Sequence, residues 1–280
     1  MSLVRVIFLS ALTMVAFAGN SLLCRLALVD TAIDAASFTM IRLLSGAAML
    51  GLLVLLSGSK ATGRGSWISA LALFAYAAGF SFAYLSLPAG TGALILFGAV
   101  QATMIGYGFW TGERFSGWQW LGLVLAFGGL VVLLLPGLSA PPLPGSMLML
   151  CAGMAWGVYS LRGKGAGPAL HVTAANFLLA VPVSLLLSLL MSGHFSLDMA
   201  GLGYAVASGA LASGVGYAIW YTVLPALKAT HAATVQLSVP VLAALGGVIF
   251  LAEPITVRLV IASVAILGGI ALVMLDRRQG

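Results

Sequence analysis

The sequence predicts an all-α integral membrane protein, with ten transmembrane helices arranged as two five-helix repeats of inverted topology. Three observations carry that prediction. Of the 280 residues, 62% are hydrophobic and only 6% are charged, with a mean hydropathy of +1.16. Ten apolar runs follow one another with little chain between them, each near the length of about 20 residues that crosses a hydrocarbon core as a helix. The chain has two glutamates, Glu113 and Glu253, and they stand 140 residues apart, half its length. A soluble domain carries about 25% charged residues because water must wet its surface, so most of this surface must face lipid.

The ten runs span roughly 3–24, 35–56, 67–87, 89–110, 118–136, 145–161, 171–191, 199–224, 230–251 and 258–275. Charges, prolines and Gly/Ser clusters mark the breaks. The first run follows a single Arg5, is long, and lacks a small-x-small cleavage site, so it reads as a retained helix rather than a signal peptide. With an even number of spans both ends lie on one side. That side takes Arg5, Lys60, Arg64, Arg114, Arg162, Lys164, Lys228, Arg277 and Arg278, the other takes Arg25 and Arg258, and Arg42 is left inside the second helix. Nine against two places both termini in the cytoplasm of a bacterial inner membrane. The net charge of +6 is therefore a topology signal, and no nucleic-acid partner is expected.

Sliding one half of the chain over the other by 140 residues superimposes Ala89 on Ala229, Gly106 on Gly246, Glu113 on Glu253 and Gly128-Gly129 on Gly268-Gly269. Phe17–Ser21 falls over Trp156–Ser160 at an offset of 139, and Tyr84–Pro88 over Tyr221–Pro225 at 137. The halves are thus 1–140 and 141–280, and five helices in each force opposite orientations in the bilayer. Two equivalent halves of opposite orientation can open a central site alternately to each side, the architecture of secondary transporters. Glu113 and Glu253 become one structural position used twice. At a tight turn, such a glutamate caps the following helix or takes part in transport.

Candidate substrate-contacting residues follow from polarity and spacing. Ser10, Thr13, Phe17, Asn20 and Cys24 recur at intervals of three and four and form one face of helix 1, which turns inward because lipid does not solvate polar groups. Asn20 on that face can bind substrate or hydrogen-bond a neighbouring helix. Helix 4 carries Thr91, Leu94, Gly98 and Gln101 on one stripe. Helix 9 carries Gln236 and a mid-helix Pro240, which frees a backbone carbonyl. Aromatics gather on helices 3, 6 and 8, among them Phe80, Tyr84, Trp156, Tyr159 and Tyr217. Trp67, Trp110, Trp118 and Trp120 lie at helix ends and read as belt residues. The substrate-binding set is therefore Asn20, Phe80, Tyr84, Gln101, Trp156, Tyr159, Tyr217 and Gln236. Arg42, a full charge inside helix 2, can snorkel outward or offer its charge to an anionic group, but is expected first to pair with Asp34 or Asp30 near the external end.

Absences exclude other chemistry. The histidines are scattered, no CxxC or HExxH occurs, and Cys24 and Cys151 lie in apolar helices, so neither metal, cofactor nor disulfide is expected. Gly163-Lys164 imitates a phosphate loop, but Val158 stands where glycine is required and Gly165 follows the lysine, which excludes ATP-driven transport. No carboxylate lies mid-membrane and His231 is the one weak candidate for a titrating group, so transport is expected to be facilitative.

The chain resembles the drug/metabolite transporter (DMT) superfamily of the EamA type. The likeness rests on two five-helix repeats with a Gly-Glu turn after the fourth helix, kept as Gly112-Glu113 and altered to Ala252-Glu253. It rests also on Phe17-Ala-Gly-Asn20 with Arg25 beyond it, and on Arg42 in helix 2. Within the superfamily the chain is most similar to bacterial amino-acid exporters, including the aromatic amino acid exporter branch. That resemblance implies helices 1–4 and 6–9 around a cavity faced by Asn20, Trp156 and Tyr159, with helices 5 and 10 outside. It implies export of a small amphipathic substrate, an amino acid first and a drug or other metabolite as the alternative. An intramembrane enzyme is disfavoured, since no histidine or carboxylate accompanies the serines at depth.

Overall fold

The computed structural model describes residues 1–58, 63–112, 114–137, 140–163, 166–227 and 235–276. Among them are ten long helices and no strand. They are α1 (Leu3–Asp30), α2 (Ala35–Leu56), α3 (Trp67–Tyr84), α4 (Ala89–Trp110), α5 (Gly117–Leu134), α6 (Leu143–Gly163), α7 (Ala169–Leu190), α8 (Met199–Ala226), α9 (Ser238–Leu251) and α10 (Val257–Asp276). Eight are long and apolar enough to cross a membrane, and α6 and α9 complete the ten. The starts are written in the sequence. The Asp34 carboxylate accepts the Ala36 and Ser37 N–H groups at the head of α2, and Asp198 accepts that of Gly201 at the head of α8. Ser116 and Gln119 form a reciprocal capping box on α5.

Two elements depart from expectation. α1 runs on to Asp30 rather than stopping near residue 24, because Arg25 finds its partners within the protein and does not break the helix. α8 is continuous, but its middle, Ala207–Val215, is wound as a π-helix. Such wide turns are rare and concentrate at functional sites. The front of the run expected over 230–251 lies partly outside the described residues, as do Glu113 and His231.

Packing sorts the helices. α5 lies along α10 and touches little else beyond α4. In lipid, apolar area alone does not drive helices together, so close backbone approach through small residues matters more. At position 122 a Cβ would collide with the Gly269 carbonyl, and at 129 it would meet Ala265 and Ile266. Gly129 and Gly269 thus serve fixed packing within the α5–α10 pair, whereas Gly128 and Gly268 meet nothing within 4 Å. The other eight helices form the core: α1 against α8 and α9, α6 against α3 and α4, α2 against α7 and α8, α3 against α7, and α4 against α9. Trp67, Trp110, Trp118 and Trp120 are all exposed at helix ends, as a belt requires.

Candidate functional site

At one end of the bundle, Arg25 of α1 donates from Nε to Glu253 Oε1 at 3.1 Å and from Nη1 to the carbonyls of Tyr84 and Leu85 at 2.8 and 3.2 Å. The other oxygen of Glu253 accepts the Ala89 N–H at 2.7 Å, in the first turn of α4. One carboxylate thus fastens α1, α4 and the end of α9, and its charge also suits the positive end of the α4 dipole. At the opposite end Ser66 N–H donates to Asn176 Oδ1 at 2.8 Å, and Arg162 reaches Ser69 and Ser66.

Between these ends lies a polar and aromatic cluster drawn from α1, α2, α3, α6, α7 and α8. Arg42 is 2% exposed, with its guanidinium carbon 4.7 Å from the Phe80 ring centroid and 5.1 Å from that of Tyr76. Its Nη2 donates to the Tyr76 hydroxyl at 2.9 Å. Asn20 Nδ2 donates to the same hydroxyl at 3.3 Å, and Asn20 Oδ1 accepts from Ser208 at 2.6 Å. Arg42 Nη1 is buried with no hydrogen-bond partner.

The π-segment of α8 closes this cluster from behind. Gly209 lies directly against the Arg42 carbonyl and Ser45, where no side chain fits, and the neighbouring Ser208 turns to Asn20. A π-turn carries more residues per turn than an α-turn and so re-aims consecutive positions. Beside the polar groups, Trp156 stacks on Tyr159 (5.2 Å between centroids, 27°) and on Tyr217 (5.3 Å, 19°), and tilts against Tyr76 at 4.7 Å. Tyr217 also meets Phe17 and Phe177, while Thr173 donates to the Tyr221 hydroxyl at 3.3 Å. Deep aromatic walls with a few placed polar groups are what small-molecule sites have in common.

The EamA-like transporter family matches residues 143–275, the stretch from α6 into α10. A relative from Pseudomonas aeruginosa, an uncharacterized protein, is 58% identical over 274 residues and spans 98% of this chain and 96% of its own. The second half of the chain, residues 143–275, thus carries the likeness to the EamA-like transporter family. An uncharacterized transporter of Archaeoglobus fulgidus is 32% identical over 171 residues, 59% of this EamA-like chain and 60% of that relative. One crystal structure shares the fold with a TM-score of 0.67 at 22% identity, covering 97% of this chain and 99% of the other. The match to a transporter family over residues 143–275, with eight helices among the described residues long and apolar enough to cross a membrane, points to a multi-pass membrane protein.

Of the residues singled out from the sequence, Asn20, Phe80, Trp156, Tyr159 and Tyr217 meet in the cluster of this EamA-like protein. The inward face of α1 is buried at Ser10, Thr13, Asn20 and Cys24 and half-buried at Phe17. Tyr84 meets the cluster through Phe80, and its hydroxyl donates to the Ala89 carbonyl at 3.2 Å, beneath the Arg25 clamp. Gln101 is buried on α4 and Gln236 half-buried before α9, and no described contact brings either to the cluster. Pro240 falls in the first turn of the described helix α9, and the residues that would place it mid-helix in the expected run lie partly outside the described residues.

Two further expectations are corrected. Glu253 does cap a helix, but that helix is α4 and not the α10 that follows it, because the turn directs the carboxylate back across the bundle. Arg42 pairs with neither Asp34 nor Asp30. The Asp34 carboxylate is taken up by the Ala36 and Ser37 N–H groups and by that of Ser196 at 3.1 Å. Burial raises its pKa, but the hydrogen bonds from Ser37, Ser196 and Ala36 outweigh burial and hold it below the ordinary carboxylate range. Sequence reasoning missed Ser208, for which small-residue helical sequence gives no signal.

Proposed function

We propose that this chain exports small amphipathic metabolites, neutral and aromatic amino acids first, by alternating access between two inverted halves, 1–140 and 141–280, in a bacterial inner membrane with both termini cytoplasmic. The observation that carries the reading is the central cluster, where Asn20, Arg42, Tyr76 and Phe80 of one half face Trp156, Tyr159, Ser208 and Tyr217 of the other. A site shared in this way changes shape whenever the halves rock.

The helix pairing supports the repeat. Exchanging each helix for its counterpart five places along turns α1–α9 into α6–α4, α3–α6 into α8–α1 and α2–α8 into α7–α3, and all of these pairs pack. It leaves α2–α7, α4–α9 and α5–α10 unchanged, the pairs expected on a twofold axis. The turn before each repeat glutamate also matches, with Gly112 at φ +94° and Ala252 at +51°. The Arg25–Glu253 pair ties α1 of the first half to α9 of the second, so opening toward that end requires its release. With no carboxylate among the described residues of the central cluster, movement is driven by the substrate gradient.

The test is uptake of labelled amino acids into liposomes holding the purified protein, with counterflow to separate a carrier from a pore. Asn20→Ala and Trp156→Ala are expected to lower transport about tenfold, the loss of one well-placed hydrogen bond or stacking partner. Unchanged transport in both variants would remove the site. Concentrative uptake driven by an imposed proton gradient would remove the facilitative part.

A further inference from the structure

We infer that Arg42 is the anchor for the carboxylate of the transported solute, one oxygen docking on the free Nη1, so that the substrate class is small organic acids and zwitterions carrying a single negative group. The inference rests on the transport reading above and narrows it.

The argument starts from an imbalance. Guanidinium is always charged and carries five N–H donors in a rigid fork. A buried charge normally meets a counter-charge, since an unpaired one forfeits its hydration without replacement. Among the described residues Arg42 has no carboxylate partner. The one ion pair among the described residues is Arg25–Glu253, and Asp34 is consumed as a helix cap. What Arg42 has is one hydrogen bond, to the Tyr76 hydroxyl, and two ring faces. Ring quadrupoles offset part of a desolvated positive charge, but they give Nη1 no acceptor, and Nη1 has none.

The surroundings show that this nitrogen is held in place. Nη2 is fixed by Tyr76, Tyr76 by Asn20, and Asn20 by Ser208, a chain running from α2 through α3 and α1 to α8. The backbone of Arg42 is pinned by Gly209. A guanidinium with one side fixed and the other free is pre-organised for an incoming anion, because little side-chain freedom remains to be lost on binding. Charge-assisted bonds from guanidinium to carboxylate are among the strongest available to a protein.

The class of anion follows from what else is present. A phosphate dianion calls for several convergent cations, and Arg42 stands alone among the described residues of the cluster. A bare inorganic ion has no use for the stacked wall of Trp156, Tyr159 and Tyr217 beside the guanidinium. A single carboxylate on an apolar or aromatic body uses both.

The experiment compares matched ligands on the unaltered protein. Thermal unfolding and proteoliposome uptake are measured with leucine and phenylalanine, with their amides, and with the amines that lack the carboxyl group. The acids are expected to stabilise and to be carried, with amides and amines weaker by about tenfold or more, the worth of a charge-assisted hydrogen bond. Arg42→Lys is expected to keep part of that preference and Arg42→Gln to abolish it. If amides and amines serve as well as the acids, the Arg42 anchor is wrong while the carrier reading stands. If none of the set is carried, the amino-acid reading fails and this inference with it. Protection by sodium chloride alone equal to that by the acids would make the site an inorganic-anion site and overturn the proposal. Should Arg42→Gln not fold, the series on the unaltered protein decides alone.

Discussion

Arg25 and Arg42 both sit within membrane-length helices, and their surroundings differ in what meets the charge: Arg25 has a carboxylate against it and Arg42 has none among the described residues. Arg25 lies at the end of the bundle with its side chain 16% exposed, and meets a carboxylate and two backbone carbonyls. Arg42 lies at the centre, 2% exposed, with one phenol and two ring faces. The general cost of charge in a membrane applies to both, yet only Arg25 is compensated by the protein itself. A brace is recognised by the counter-charge it already holds. A binding residue is recognised by what it still lacks, and the two predict different phenotypes: loss of Arg25 should appear first in stability, loss of Arg42 first in ligand discrimination.

The largest effect is expected where the Arg42 helix is held from behind. Gly209→Ala puts a methyl group into the Arg42 carbonyl and Ser45, so α2 and the π-segment must part. Overpacking against backbone costs about 3 kcal/mol or more, and the variant is expected to lose its monodisperse folded species in detergent. Normal thermal stability in that variant would show that Arg42 is not pinned by close packing.

Next comes the clamp. Arg25→Gln and Glu253→Gln should each lower unfolding stability by about 2 kcal/mol, less than for a fully buried pair because both partners keep some exposure. The double variant should lose about 1–2 kcal/mol less than the sum of the two, the coupling expected of groups in direct contact. Additive losses would mean that the pair is not an interaction but a coincidence of position. Ligand preference should survive in all three, which is what separates this arginine from Arg42.

Asp34 gives a smaller and pH-dependent effect. Its folded pKa lies below its ordinary 3.8, so its stabilising contribution is complete above that value and is lost as pH falls through the folded pKa. Asp34→Asn keeps an N-cap acceptor and is expected to flatten the acid limb of the stability profile below about pH 4, leaving neutral pH nearly unchanged. An unchanged acid limb would mean that the carboxylate titrates elsewhere in the range.

The sequence made the helices legible wherever a local signal ends them. α2 and α4 fall where expected because Asp34 and Pro88 begin them. The end of α1 was illegible, since the partner that lets Arg25 remain helical is Glu253, 228 residues away. The aromatic half of the cluster was legible in part from depth: Trp156 and Tyr217 lie well inside their helices and so are not belt residues, whereas Tyr159 stands only one turn from the end of α6. Its polar half was not. Gln101 and Gln236 are polar enough to suggest a site but give no sign of which neighbour they face, and the Ala207–Val215 run of small residues suits an α-turn as well as a π-turn. Arg42 was visible, but its lack of a counter-charge among the described residues is a property of the packed structure that no spacing encodes.

The smallest effect tests the two turns that precede the glutamates. Gly112 adopts φ +94° and Ala252 φ +51°, both in the left-handed region, which costs an L-residue roughly 1–2 kcal/mol and glycine almost nothing. The alanine is tolerated because Glu253, held by Arg25 and Ala89, fixes the turn regardless. Glycine at 252 would relieve the strain but would also loosen the unfolded chain, so the net gain from Ala252→Gly should be only about 0.5–1 kcal/mol. Gly112→Ala should lose about 1 kcal/mol. If the two exchanges shift thermal unfolding in opposite directions, the turns are equivalent in conformation although not in residue. If Ala252→Gly destabilises, the clamp itself depends on the alanine, and Arg25 braces a turn that glycine cannot hold.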